Sequence, residues 1–548
     1  MPRRSIRPAE TRSCTLAALG VLLLGACSGS QSGAGAGGAP GVGGAVGGGG
    51  ATAAGGATGS GGTGSGGASA AGGASGTGGA LGAGGSGAGG ATAGTGGAGG
   101  TAACAPPTIT LPTGNDATFA TLIQLNDNGA WSWYQDERAI VDTRANKLIV
   151  GSVASGGARN GAIEAAILNL TTNAVTRTTL PSSLPTSAVD DHNAPAFAIR
   201  PDGKYVAMWS GHRVDCISRI SIFDGTSWGA ENRFSWTSLG CPWPTLATNQ
   251  ITYSNVWYMG STLYSAVRSV NTNPTAIAST DDGQSWSYYG RVTSSPQMGY
   301  VAGYYKYWGD NLGRIDFLGT EAHPRDFDNS LYHGYVQDGK VYNSSGTALD
   351  SSFKDPSTTV TNAVNINTFT QVFKTGTTIH GVVLNHAWNY DVVRYADGTV
   401  AALWQARVNG TGTDDPDKRA LYARFDGTKW TLTYLGKMGP KLYPDEQDYT
   451  GLGALVPDDP HTIYLSTPID PRDDTTNLGK HEIFQGTTCD NGATFKWTPL
   501  TAKSTMDNLR PIVPKWDATH TALVWLRGTY STAQSYALKV VGVVSTKP

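Results

Sequence analysis

Short apolar runs separated by turn residues characterise residues 104–548. Within these residues no long segment repeats its apolar positions with the period of about 3.6 that an amphipathic helix requires. Runs of four to eight apolar or alternating residues bounded by turn signals are typical of strands instead. We therefore predict an all-β fold. The clearest predicted strands are Lys147–Val153, Tyr205–Trp209, Leu263–Val267, Val400–Gln405 and Leu523–Leu526.

Asp-Gly pairs lie between several of these runs. An Asp-Gly pair between two apolar runs predicts a hairpin, because Gly accepts the positive φ that a tight turn needs. The six pairs are Asp202-Gly203, Asp224-Gly225, Asp282-Gly283, Asp338-Gly339, Asp397-Gly398 and Asp426-Gly427.

One turn has a more specific pattern. Ser279–Trp286 fits the Asp box, S-x-D-x-G-x-[ST]-[WF], and Thr488–Phe495 is a looser copy. In this motif the Asp caps a hairpin turn and the aromatic residue packs beneath it, so the motif is structural. Asp boxes mark the blades of sialidase-like β-propellers. The length of 104–548 is consistent with seven four-stranded blades, and we predict a seven-bladed propeller with its ligand site over the central channel.

The composition of the first hundred residues is different. Residues 28–103 hold 36 of the 75 Gly and no Asp, Glu, Lys or Arg. Such a segment cannot bury enough apolar surface to offset its ordering entropy, so we predict a disordered tether. Its root-mean-square reach would be on the order of 50 Å. The remaining residues, 104–548, form the predicted propeller domain.

Residues 1–27 have the features of a lipoprotein signal peptide. Four Arg precede an apolar run, Leu16–Leu24, which is too short to span a bilayer. The run ends in Leu24-Gly25-Ala26-Cys27, which resembles a lipobox, so we expect lipidation of Cys27. Ser28 follows rather than an acidic residue, which favours an outer-membrane lipoprotein. We expect a monomer that contacts the membrane only through this anchor.

Charge and cysteine content narrow the function classes further. Without residues 1–26 the chain has 35 Lys and Arg against 40 Asp and Glu, a net charge of −5, which argues against a nucleic-acid partner. Four Cys remain in an oxidising compartment, and their spacing matches no zinc site. Among the three possible connectivities we favour Cys216–Cys241 with Cys104–Cys489. We predict no required cofactor or metal; a structural calcium or zinc ion is left open.

Candidate chemistry is concentrated in four segments. Two of them place His192 and His212 about one hairpin apart, each beside a predicted strand. The third contains Tyr253 and, fifteen residues later, Arg268. The fourth is Glu321–Asp326, which contains His323 and Arg325.

Together these segments resemble the BNR-4 group of seven-bladed propellers. The resemblance extends over nearly all of 120–545 and rests also on Asn128–Arg138, Asp191–Pro195, His323–Ser330 and Asp507–Pro511. The group includes ulvan lyases, rhamnose–glucuronate lyases, a related α-L-rhamnosidase and neuraminidase-like proteins. Its lyases carry two His about twenty residues apart, then a Tyr, then an Arg about sixteen residues later. The resemblance therefore implies that His192, His212, Tyr253 and Arg268 are catalytic.

The resemblance implies a lyase that cleaves an acidic polysaccharide of the rhamnose–glucuronate type, such as ulvan or gum arabic, by β-elimination. In that reaction a base removes the C5 proton of a uronic acid, and an acid protonates the departing O4. We predict His192 as the principal base or acid and Tyr253 as its partner, with the order open. Arg268 would neutralise the carboxylate and His212 would bind it too. Arg325 and His323 would bind substrate.

Three functions other than a lyase are also considered. A sialidase would need three Arg around a carboxylate and a F/Y-R-I-P motif, and the sequence has no such motif. A glycosidase such as a rhamnosidase would need paired carboxylates, for which Asp190/Asp191, Glu321/Asp326 and Asp445/Glu446/Asp448 are candidates. A glycan-binding lipoprotein without catalysis could use some of the 15 Trp and 23 Tyr as sugar platforms.

Overall fold

The computed structural model describes residues 105–243, 251–294, 302–350, 354, 363–444 and 446–547. The predicted signal peptide (1–27) with Cys27, the predicted tether (28–103), Cys104 and Asp445 lie outside the described residues. Within the described part of the chain, no helix has the length and apolar character needed to cross a membrane.

The described chain is built of strands with short 3₁₀ turns between them. The first two strands are β1 (Ala117–Thr118) and β2 (Ile123–Asn126). The 3₁₀ turns are Gly157–Arg159, Asp191–Asn193, Thr237–Leu239, Val270–Thr272 and Ile366–Thr368.

Three four-stranded antiparallel sheets follow, and we call them blades 1 to 3. Blade 1 contains β3 (Ala139–Asp142), β4 (Lys147–Val153), β5 (Ile163–Asn169) and β6 (Val175–Thr179). Blade 2 contains β7 (Ala196–Ile199), β8 (Tyr205–Ser210), β9 (Ile217–Phe223) and β10 (Asn232–Ser235). Blade 3 contains β11 (Thr252–Met259), β12 (Thr262–Ser269), β13 (Asn273–Ser279) and β14 (Ser287–Arg291).

Blades 4 and 5 carry additional strands beyond the basic four. Blade 4 contains β15 (Tyr305–Gly309), β16 (Arg314–Thr320), β17 (Leu331–Gln337), β18 (Lys340–Asn343), β19 (Ala348–Asp350) and β20 (Thr370–Phe373). Blade 5 contains β21 (Thr377–Ile379), β22 (Val382–Arg394), β23 (Val400–Val408), β24 (Lys418–Phe425) and β25 (Trp430–Lys437).

The last two blades complete a ring of seven. Blade 6 contains β26 (Gly453–Leu455), β27 (Thr462–Ile469), β28 (Asn477–Thr487) and β29 (Lys496–Pro499), and the short β30 (Thr501–Ala502) pairs with β1. Blade 7 contains β31 (Asp507–Ile512), β32 (His520–Thr532) and β33 (Ser535–Thr546). Its fourth strand is β2, which pairs with β33 and so closes the ring with the N-terminal end of the domain. The predicted all-β, seven-bladed propeller is therefore confirmed.

The inner strands of the blades surround the central channel. These strands are β3, β7, β11, β15, β22, β26 and β31, and from β7 onward each packs against the one before it. Because neighbouring strands in a blade are antiparallel, the start of each inner strand and the end of the second strand lie at the same end of the channel. This arrangement explains why residues before β7 and after β8 can reach one site.

Both Asp boxes form the predicted hairpins. Ser279 Oγ accepts a hydrogen bond of 2.7 Å from the Gly283 amide, and Asp281 Oδ1 accepts one of 2.8 Å from the Ser285 amide. The copy at Thr488–Phe495 repeats both contacts. All six Asp-Gly turns lie between consecutive strands, and their Gly residues have φ between +69° and +106°.

Aromatic side chains fill the interior of the ring. Six Trp are almost fully buried: Trp131, Trp209, Trp236, Trp257, Trp404 and Trp525. These residues are therefore core rather than sugar platforms. The predicted disulfide Cys216–Cys241 is present, with Cα atoms 5.9 Å apart. Cys489 is also disulfide-bonded, but its predicted partner, Cys104, is outside the described residues.

Candidate active site

A cleft of about 200 Å³ lies at the channel end where the inner strands begin. Residues of blades 2, 3, 4 and 7 and of the connection between blades 5 and 6 contribute to it. Five of the six predicted site residues line this cleft directly: His192, His212, Arg268, His323 and Arg325. The sixth, Tyr253, lies against the ring of His192, with 5.7 Å between ring centroids, and lines a small adjoining pocket with Arg268 and Tyr304.

The turn Asp191–Asn193 places His192. Asp190 caps this turn by accepting a 3.0 Å hydrogen bond from the His192 amide. The side chain of Asn193 accepts a 2.7 Å bond from the backbone amide of His212, which follows β8. One short turn therefore positions both imidazoles.

Asp190 is the common partner of the two imidazoles. Its Oδ1 lies 2.5 Å from Nδ1 of His192, and its Oδ2 lies 2.9 Å from Nδ1 of His212. The two rings stack with centroids 4.4 Å apart. Because a carboxylate only accepts, each Nδ1 carries a proton, and Nε2 of each ring is the atom left for chemistry.

The two imidazoles differ in charge at neutral pH. Burial disfavours the charged form of His192, but the carboxylates of Asp190 and Asp191 outweigh burial and raise the pKa of His192 to about 10. Burial, reinforced by the charge of His192, lowers the pKa of His212 to about 4. His192 is therefore a cation and His212 is neutral.

A buried ion pair supports this assignment of charge. Asp191 is fully buried and accepts hydrogen bonds from Arg510, at 2.5 Å, and from the hydroxyl of Tyr530. Its Oδ1 lies 2.8 Å from Nδ1 of His192. The two carboxylates are thus balanced by Arg510 and protonated His192, whereas a second imidazolium at His212 would leave a buried net charge.

Tyr253 owes its position to an irregularity in β11. The register between β11 and β12 shifts between Thr252 and Asn255, and Tyr253 has φ of +66°, a conformation that non-Gly residues adopt rarely. A bulge of this kind turns a side chain away from its normal face of the sheet. Burial and the neighbouring Tyr304 raise the pKa of Tyr253 well above its usual value, against the lowering effect of Arg268, so its phenol stays protonated.

Arg268 connects the two tyrosines. Its guanidinium carbon lies 5.0 Å from the ring centroid of Tyr253 and 5.1 Å from that of Tyr304. Its Nη1 donates a 2.7 Å hydrogen bond to the hydroxyl of Tyr304, and its Nη2 donates one of 3.2 Å to the hydroxyl of Thr252. These contacts hold the guanidinium at the wall of the cleft.

His323 joins this network through Tyr304. Its Nδ1 accepts a 3.1 Å hydrogen bond from the Arg325 amide, so in the neutral ring the proton is on Nε2, which lies 3.2 Å from the Tyr304 hydroxyl. Burial, together with Arg325 and Arg268, lowers the pKa of His323 well below its ordinary value. His323 therefore donates to Tyr304 as a neutral imidazole.

Arg325 and Glu446 form an ion pair across the cleft. Arg325 Nη1 lies 3.1 Å from Glu446 Oε1, and its Nε lies 3.1 Å from Asp326 Oδ1. Burial raises the pKa of Glu446, against the lowering effect of Arg325. Among the described residues that line the cleft, Glu446 is the one carboxylate.

Sequence reasoning missed several residues of the site. Tyr304, Gln534 and Tyr449 line the cleft, and Arg510 lies directly behind it. Arg510 stood in a segment that supported the family resemblance, but no pattern gave it a role. Tyr304 and Gln534 belong to no motif in the sequence.

Three side chains beside the cleft bring potential metal-ligand atoms close together. The donor atoms of Asp190, His192 and His212 all lie within 4.8 Å of one another. Both imidazoles, however, direct Nδ1 at Asp190 in hydrogen bonds, and these bonds account for the convergence of the three side chains. We therefore describe the three as a hydrogen-bonded acid–base cluster.

The fold of the chain is similar to that of solved ulvan lyase structures. One structure is of a PL25 ulvan lyase, described as a new family of polysaccharide lyase, bound to -[GlcA(1-4)Rha3S]-. It is 12% identical to this chain with a TM-score of 0.54, and the match covers 76% of this chain and 94% of that chain. A second structure of the PL25 ulvan lyase is 13% identical with a TM-score of 0.51 and the same coverage. No family model and no curated protein matches the chain. At this identity the likeness confirms the propeller fold that the BNR-4 resemblance implied.

Proposed function

We propose that the protein is a polysaccharide lyase that cleaves a uronic-acid-containing polysaccharide by β-elimination. The observation that carries the proposal is the pairing of neutral His212 with cationic His192 in one cleft beside Arg268. Elimination needs a base, an acid and a cation for the carboxylate, and we assign these roles to His212, Tyr253 and Arg268, with cationic His192 beside Tyr253.

His212 is the better base of the two imidazoles. At neutral pH the His212 ring is neutral: its Nδ1 proton is donated to Asp190, and the lone pair on Nε2 would take the C5 proton of the uronate. From the sequence we predict the base or acid role for His192 and carboxylate binding for His212. Because the pKa of His192 is about 10, His192 fits the role of cation or acid instead, and the two roles exchange.

Arg268 and Tyr253 complete the proposed mechanism. The guanidinium of Arg268 would bind the uronate carboxylate and stabilise the charge that accumulates there once C5 loses its proton. The protonated phenol of Tyr253 would give its proton to the departing O4 oxygen, and cationic His192, 5.7 Å away, would offset the resulting phenolate. His212 then releases the C5 proton to solvent and the phenolate of Tyr253 takes a proton from solvent, so both groups regain their starting forms.

The substrate is proposed to be a rhamnose–glucuronate polymer. The support is the family resemblance of the sequence motifs, together with the fold shared with an ulvan lyase. A glycoside hydrolase is the alternative, and it would ordinarily need two carboxylates facing the bond. Glu446 is the one carboxylate among the described residues lining the cleft, so the geometry favours elimination.

The test is incubation of the protein with ulvan and with gum arabic. Ultraviolet absorbance of the C4–C5 double bond detects the unsaturated uronate, which hydrolysis does not produce. A rise in absorbance supports the lyase. Release of reducing ends or rhamnose without that rise would favour a hydrolase, and binding without either product would favour a glycan-binding protein.

We also propose that the protein is an outer-membrane lipoprotein. The support is the lipobox at Leu24–Cys27 followed by the uncharged segment 28–103. Incorporation of labelled fatty acid that disappears in Cys27→Ala, with release of the protein from the membrane fraction, is the expected result. An unlabelled wild-type protein in the soluble fraction would contradict it.

A further inference from the structure

The tip of the β32–β33 hairpin contacts the carboxylate of Asp190 and the backbone amide of Asp191. Nε2 of Gln534 donates a 2.6 Å hydrogen bond to Asp190 Oδ2, and the carbonyl of Ala533 accepts one of 2.9 Å from the Asp191 amide. This hairpin belongs to blade 7, whereas Asp190 and Asp191 precede blade 2. Because Gln534 and Asp190 are 344 residues apart in the sequence, their hydrogen bond is not part of a local turn.

Gln534 and His212 donate to the same oxygen. Asp190 Oδ1 accepts from the amide and Nδ1 of His192, whereas Oδ2 accepts from Nδ1 of His212 and from Gln534. A neutral donor on Oδ2 partly satisfies that oxygen and weakens its attraction for a proton on the His212 ring. It does so without adding charge to a buried cluster.

We infer that Gln534 is a positioning residue whose amide, by binding the Asp190 oxygen shared with His212, keeps His212 in its proton-accepting form. The inference rests on the proposed function only for its kinetic readout. Gln534 need not touch the reacting atoms, since it acts through Asp190.

Other charged and titratable groups surround the cluster on every side. Blade 3 contributes Tyr253 and Arg268, and the loop before β26 contributes Tyr443 and Glu446. Blade 7 contributes Arg510, Tyr530 and Tyr536. All of these groups are kept in a Gln534 variant, and the Ser535→Ala control shows whether a change at the hairpin tip by itself moves the titration of His212.

Two variants at Gln534 separate the effect of an added negative charge from the effect of losing the hydrogen bond to Asp190. Gln534→Glu places a carboxylate beside Asp190, and its negative charge should raise the pKa of His212 by about one unit or more. The acid limb of the pH profile of kcat/KM would then move to higher pH by the same amount. Gln534→Met removes the donor at nearly constant size, and we expect a smaller shift in the same direction.

The kinetic measurement is kcat/KM against pH on a uronate polymer, with Ser535→Ala as the matched control. Ser535 lies at the same exposed hairpin tip and should leave the limb in place. If Gln534 only stabilised the loop, both variants would lower kcat/KM equally at all pH values without moving the limb. Profiles of that shape would overturn the inference.

An NMR titration of selectively labelled histidine tests the inference without turnover. The resonance that disappears in His212→Gln identifies His212, and its midpoint should rise in Gln534→Glu. A rise in a protein that never forms unsaturated uronate would retain the inference and reject the lyase. An unchanged midpoint in a protein that does form unsaturated uronate would support the lyase and reject the inference about Gln534.

Discussion

His192 and His212 stack with ring centroids 4.4 Å apart and direct their Nδ1 atoms at opposite oxygens of Asp190. Two stacked imidazoles at this distance cannot both be charged without strong repulsion. Asp191 contacts His192 and so decides which ring is the cation. The pair therefore consists of one proton donor and one proton acceptor in a single cleft.

His212→Gln should abolish most of the turnover. The variant removes the proposed base, and we expect a loss of at least about 100-fold in kcat with polymer binding retained. The rate of unsaturated uronate formation and affinity electrophoresis on the polymer measure the two properties. His520→Gln is the control, because His520 is 44% exposed and pairs with Asp517 away from the cleft. Loss of binding in step with turnover would argue against a role in proton transfer.

The pH profile of kcat/KM should have a broad plateau. His212 must be unprotonated to act as a base, so activity should fall as the pH drops towards about 4. His192 must be protonated to act as a cation, so activity should also fall as the pH rises towards about 10. The unfolding of the protein must be followed at each pH. A single midpoint near 6.5, the ordinary histidine value, would contradict the assignment.

Arg325→Gln should weaken substrate binding more than chemistry. Arg325 lines the cleft and is held by Glu446 and Asp326, so an acidic sugar would meet a fixed guanidinium. Loss of one charge-assisted hydrogen bond predicts a rise in KM of about tenfold, or roughly 1.4 kcal/mol, with little change in kcat. Arg144→Gln, at an exposed position, is the control. An unchanged KM would remove Arg325 from the binding site.

The fold was predictable because its signals are local. The Asp box at Ser279–Trp286 and the six Asp-Gly turns each specify a hairpin within a few residues, and the length of the domain then gives the number of blades. Closure of the ring was not predictable. The pairing of β2 with β33 joins Ile123 to Gly542, and no local pattern marks partners so far apart.

The site was predictable only as a set of residues. His192 and His212 stood out because they flank predicted strands of one hairpin, and Arg268 because it follows the predicted strand Leu263–Val267. Their charge states could not be read from the sequence, since the difference between the two His arises from Asp191 and from burial. Tyr304 and Gln534 were missed because they reach the cleft from blades 4 and 7 without a motif.

Asp191→Asn should destabilise the protein strongly. Asp191 is fully buried and binds both Arg510 and His192, so loss of its charge leaves buried cations with too few partners. Breaking a buried pair in this way costs about 3–5 kcal/mol. Urea unfolding measures it, and Asp202→Asn, in an exposed turn with Arg200, is the control with an expected loss below about 1 kcal/mol. Equal losses in the two variants would show that the Asp191 cluster is not a stability centre.

The Cys216–Cys241 disulfide should stabilise the segment that follows His212. Its cysteines are 25 residues apart and enclose β9 and β10. Closing a loop of this length is expected to contribute about 3 kcal/mol, so the double variant Cys216→Ala/Cys241→Ala should unfold at a lower temperature. Thermal unfolding of the variant and the wild type, both without reductant, measures the difference and leaves the disulfide of Cys489 intact. If the variant retains the wild-type Tm, the disulfide does not stabilise this segment. If Tm falls while kcat at low temperature is kept, the disulfide contributes to stability only. The hydrogen bond from the His212 amide to Asn193 is then sufficient to place the imidazole.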